Sequence, residues 1–134
     1  SNTGETLLAL GRAEAAQVQF KKALDLFEKR LGPEHAKLAL PLKGLGLAQL
    51  SLGNPREALA PFERALALRT QSKAASDPQE LAEIRWGLAR ALRAAGREPA
   101  RARELAEAAL VIYRGLGSES ADRVQQISRW LGRR

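Results

Sequence analysis

Between Leu45 and Ala65 the chain reads LGLAQLSLGNPREALAPFERA. This is one helix end, one turn and one helix start, and weaker copies of it lie on both sides. Against the template Leu45, Gly46, Ala48, Gly53, Ala58, Phe62 and Ala65, an upstream copy stands 42 residues earlier as Gly11, Ala16, Phe20 and Ala23. Downstream, Leu88, Ala89, Ala91 and Gly96 follow at an offset of 43, and Ala102, Ala106 and Ala109 at 44. One residue added after each turn accounts for the drift. A period of this size marks a stacked repeat, in which no unit can bury its apolar face alone.

The rest of the composition agrees with helices. Ala and Leu supply most of the 45% hydrophobic content and aromatics only 4%, which suits close packing through small side chains better than it suits strands. A length of 134 residues predicts a single all-α domain. The chain has no Met and reads as a fragment of a longer protein, with Ser1 and Asn2 as a cloning remnant. Cysteine is absent, which excludes disulfides and thiolate metal sites. No apolar run reaches the roughly 18 residues of a membrane span, and no signal segment opens the chain, so the expectation is a cytoplasmic module without membrane contact. The net charge of +7 reads first as solvated helix faces rich in Arg, and it still sets a general attraction for acidic partners.

In chain order, Thr3 to Leu10 form a short apolar segment ending at Gly11, in the place of a first helix cut short. Arg12 to Leu31 follows as an amphipathic helix with Ala16, Phe20, Ala23, Leu24, Phe27 and Leu31 on one face. Gly32 and Pro33 stop it. Ala36 to Leu52 is apolar almost all round, as an internal helix is, and Pro41 predicts a kink or a late start there. Asn54, Pro55 and Glu57 spell a capped helix start running to about Ser72, with a fault at Pro61. After the polar linker Lys73 to Ser76, Asp77, Pro78 and Glu80 repeat the cap logic for a helix to Ala95. Pro99 starts the next, which Gly115 and Gly117 close. A last helix from Glu119 to Leu131, with Val124, Ile127, Trp130 and Leu131 inward, would cover the open end of the array.

These residues resemble the tetratricopeptide repeat. In that family a small residue follows Leu in the first helix of a pair and Gly marks the turn. The second helix then carries Ala, an aromatic and Ala. The packing roles fall to Leu45, Gly46, Gly53, Ala58, Phe62 and Ala65, with Phe20 and Ala23 upstream and Leu88, Ala89, Ala102 and Ala109 downstream. The resemblance implies a right-handed α-solenoid of two and a half to three helix pairs with a C-terminal capping helix. Its parts would be a partial repeat at 3–31, full repeats at 36–72 and 77–117, and the cap at 119–131. The long period and the junction Leu31 to His35 look like the extended repeats of kinesin light chains, and the Arg- and Ala-rich stretch from Leu88 to Gly117 like regions beyond the kinase domain in bacterial Ser/Thr kinases. Three positions depart from the pattern. Gln49 and Leu92 replace a common aromatic, the closing proline is missing near Thr70 and Arg114, and Phe62 is answered by Ala106.

In such a stack the first helix of each pair lines the concave side. Lys43, Leu47 and Leu50 share a helix face, and 43 residues on stand Trp86, Arg90 and Arg93. These six are the candidate groove for a protein or peptide bearing acidic groups. Trp86 can instead pack beneath the final helix. Asn2 and Asn54 lie off the groove helices, so a carboxylate clamp of Lys and Asn is not expected. His35 is the only histidine, the acids Glu57, Glu63, Glu104 and Glu107 alternate with Arg as surface pairs do, and no phosphate loop is present. Neither catalysis, metal nor cofactor is therefore expected. Two alternatives stand beside a signalling scaffold. One is nucleic-acid binding through Arg85, Arg90, Arg93, Arg97, Arg101 and Arg103, disfavoured by the scarcity of aromatics. The other is self-association through an uncovered first-repeat face at Ala16, Phe20 and Phe27.

Overall fold

The computed structural model describes residues 2–72 and 77–132, with side chains from Gly11 onward. The expected linker at Lys73 to Ser76 lies outside the described residues. Six α-helices follow one another without a strand among the described residues: α1 Asn2–Leu31, α2 Ala39–Ser51, α3 Pro55–Gln71, α4 Pro78–Ala94, α5 Pro99–Gly115 and α6 Ala121–Gly132. Each packs on the next, and α2 also touches α4 directly. The result is the helical-repeat solenoid that the period implies.

The turns repeat as faithfully as the helices. At Gly53 and Gly96 the backbone takes a left-handed φ of 79° and 70°, which L side chains avoid. In both turns the next amide reaches back five residues, Asn54 to Gln49 and Arg97 to Leu92, satisfying a carbonyl that the helix end leaves open. The second turn is one residue longer before its proline. Glu98 absorbs the extra residue at φ 44°, so the drift in the sequence period has a physical address.

Helix starts are less uniform than their sequences. Asp77 accepts a hydrogen bond from the Gln79 amide at 3.0 Å, as the cap logic requires. Asn54 does not cap α3; its side-chain amide donates to Gln49 Oε1 at 3.0 Å instead. Pro41 takes up the late start expected of it. A 3-10 turn at Ala36–Leu38 precedes α2, and Pro41 falls in the first turn, where its missing N–H costs no helical bond. Pro61 lies inside α3.

Gly11 is the largest departure from the expected organisation. It sits inside α1, which runs unbroken for 30 residues, so 3–31 is one helix and not a partial pair. Gly53 is followed by Asn-Pro and Gly96 by a turn ending in Pro99, whereas Gly11 precedes Arg-Ala-Glu-Ala-Ala. Those residues propagate a helix, and one interior Gly costs only about 1 kcal/mol against that.

Packing rests on an aromatic between glycines. Phe62 is fully buried. A Cβ at Gly46 would lie 2.6 Å from its ring, and one at Gly87 closer still, so both glycines are needed for α2 and α4 to grip it from either side. Phe20 meets Gly44 in the same way, at 2.5 Å. At the next joint the sizes invert. Ala106 stands in the place of Phe62, and Trp130, 43 residues beyond Gly87, supplies the bulk from α6. That resolves the departure at Ala106. On the outer layer, carboxylate–arginine pairs link α1 to α3 (Glu28–Arg64, 3.0 Å) and α3 to α5 (Glu63–Arg101, 2.6 Å).

Candidate interaction surface

The inner layer is built from α2, α4 and α6. From α2, Lys43 reaches across to Glu83 of α4, 3.4 Å away. Leu47 and Leu50 are half-buried and pack against the main core; Leu47 also lines a cleft facing α1. From α4, Trp86 is 1% exposed and meets Trp130 edge to face, centroids 5.4 Å apart at 80°. Of the two placements the sequence allowed, Trp86 therefore takes the one beneath the final helix. A ring this deeply covered by α6 offers no surface to a ligand, which corrects its place among the groove residues.

Arg93 also serves α6. Its guanidinium lies 3.3 Å from the Trp130 ring centroid and its Nη1 donates to the Trp130 carbonyl at 2.6 Å. Arg103 donates to the Leu131 carbonyl at 2.9 Å. Two arginines thus close the last turn of α6, where cations are favoured by the helix dipole.

Arg90 differs from both. Its guanidinium stacks 5.0 Å from the Trp86 ring, its Nε is buried without a hydrogen-bond partner, and no carboxylate among the described residues pairs with it. Burial first, then repulsion from Arg123, lowers its pKa to about 10. Tyr113 beside it is buried with its hydroxyl unpartnered, and burial raises its pKa. Arg123 of α6 leans over the Tyr113 ring at 5.8 Å and donates to Gln126. Beside Arg123 and Tyr113 lies an opening of about 310 Å³, lined also by Gln79, Gln126 and the carboxylates Glu83, Glu119 and Asp122; Arg90 does not line it. Arg90 and Arg123 form no ion pair among the described residues, so a carboxylate that reached both would be paired with two guanidinium groups.

Of the six candidate groove residues, then, Trp86, Arg90 and Arg93 gather at the α4–α6 seam, while Lys43, Leu47 and Leu50 remain on α2. Arg123 and Tyr113 were missed. Aligning α6 with α4, as Ile127 on Ile84 and Leu131 on Leu88, would have shown that α6 contributes to the same layer.

A family model for the tetratricopeptide repeat matches residues 1–71, more than half of the chain. The chain belongs to the tetratricopeptide repeat family. No curated protein matches it. Tetratricopeptide repeats generally mediate contacts between proteins. No helix among the described residues is long and apolar enough to cross a membrane.

Proposed function

We propose that this chain is a non-catalytic docking module whose concave side binds an acidic segment of another protein, with a carboxylate seated against Arg90 and Arg123. The observation that carries the reading is Arg90: a largely buried guanidinium without a counter-ion is costly to maintain and is relieved by an incoming acid. Glu83, Glu119 and Asp122 line the neighbouring opening and favour a ligand in which that acidic residue is flanked by Lys or Arg. The resemblance to kinase-associated repeats extends the proposal to a regulatory segment of a larger bacterial signalling protein acting in the cytoplasm.

The nucleic-acid alternative has less support. Among its six arginines, Arg93 and Arg103 hold α6, Arg101 forms a bidentate pair with Glu63 and Arg90 is largely buried. Phosphate contacts need exposed cations.

The test is an array of acidic peptides matched with isosteric amide controls, read by the fluorescence of Trp86 and Trp130, the two tryptophans of the chain. Binding of acidic peptides with micromolar affinity, lost on Arg90→Gln, is the expected outcome. Equal binding of the amide controls would rule out the acidic specificity.

A further inference from the structure

Between α1 and α2 lies a second cleft of about 280 Å³, lined by Arg12, Ala13, Ala16, Phe20, Gly44, Leu47, Ala48 and Ser51. Its counterpart one repeat later is filled. Phe62 is held between Gly87 of the following helix and Gly46 of its own pair. Phe20 has the first contact, with Gly44, but on its other side it is only half-buried. The residue that should stand there is legible in the sequence. Residues 3–11, TGETLLALG, align with 45–53, LGLAQLSLG, at the offset of 42, with Gly4, Leu8, Leu10 and Gly11 identical. Gly4 is thus to Phe20 what Gly46 is to Phe62.

The chain cannot deliver this segment to its own cleft as it stands. Because α1 continues straight through Gly11, residues 3–10 run on along the axis of a helix about 45 Å long, away from the face they match. We propose that the cleft is the seat of residues 3–10 from a second copy, exchanged reciprocally to give a dimer. The geometry is self-consistent. Pairing position 4 of one copy with position 20 of the other, as 46 pairs with 62, sets two α1 helices antiparallel about a twofold axis at Arg12. That single axis satisfies both clefts at once, as a closed isologous interface requires. A hinge that opens into a continuous helix is the ordinary route to such exchange, since the same surfaces meet within one chain or between two.

Two variants test this, both in the full chain. The protein has no cysteine, so Arg12→Cys places a single thiol at the proposed axis and Lys29→Cys places a control on the same helix beyond the overlap. Mild oxidation is expected to cross-link most of the first into dimers and little of the second. In addition, Arg12→Asn with Ala13→Pro copies the turn Gly53-Asn54-Pro55. Sedimentation is expected to show the native chain near twice 14.6 kDa at tens of micromolar, and the turn variant at 14.6 kDa with its helical circular dichroism retained. A monomeric native chain, equal cross-linking at positions 12 and 29, or a dimer unaffected by the turn would each overturn the proposal.

Discussion

Phe62 is the side chain on which two helix pairs meet, and its environment leaves no room for one more carbon. Gly87→Ala gains up to about 1 kcal/mol of helix propensity but drives a methyl into a ring fixed on its other side by Gly46, an overpacking cost of about 1–3 kcal/mol. The expected result is a net loss of about 1–2 kcal/mol in urea denaturation, partly recovered when Phe62→Leu is added to make room. Arg90 presents the opposite case, a residue that weakens the fold. The lowering of its pKa to about 10 corresponds to a burial penalty on the order of 3 kcal/mol before its partial exposure is discounted, and stacking on Trp86 offsets only about 1 kcal/mol of that. Arg90→Leu should therefore raise stability by about 1–2 kcal/mol at pH 7 while abolishing acid binding, measured by paired thermal melts with and without an acidic peptide. The sign with pH follows. Above about 10 the unfolded chain retains the Arg90 proton that the folded chain releases, so this penalty fades as pH rises through that value. Tyr113 acts against it in the same range. Its raised pKa keeps the folded phenol protonated while the unfolded one ionises, which removes stability, so the Arg90→Leu comparison at pH 7 is the cleaner measurement.

Among the helices, α4 and α6 show where sequence reading succeeds and where it stops. The start of α4 at Asp77 and Pro78 and its end before Gly96 were legible because caps and breakers act within a few residues. The role of Trp86 was not, because an internal helix buries two faces, and which neighbour receives a given side chain depends on how α6 is placed. Gly11 misled for a related reason. It matches Gly53 in position, but the residues after it, not the glycine itself, decide whether a helix stops. Asn54 shows the same limit on a smaller scale, since Gln49 competes for its side chain. Two consequences can be measured on the elements. Trp130→Ala removes the bulk that pairs with Ala106 and is expected to cost about 3 kcal/mol, at the low end for a large aromatic because the ring is half-buried. Pro61→Ala restores a backbone donor within α3 and should stabilise by about 1–3 kcal/mol, measured by urea denaturation.

For the molecule as a whole, burial is distributed unevenly along the stack. Eight of the 17 residues of α4 are buried, and α3, α5 and α6 all pack around it, while α1 has a neighbour on one side. In the monomeric turn variant, amide exchange should be slowest in α4 from Ile84 to Leu92 and fastest in the first turns of α1, with opening energies falling toward both ends as expected where each unit is stabilised only by its neighbours. Uniform protection across α1 and α4 in that variant would contradict the gradient. The inverted joint at Ala106 and Trp130 has a consequence for gene rearrangement. If segment 77–117 were spliced ahead of 36–72, Ala106 would face a glycine and leave a void the size of an aromatic ring, and Phe62 would meet Trp130 where only one ring fits. The repeats are thus not interchangeable parts: each carries, in the volume of one side chain, the address of the neighbour it can follow.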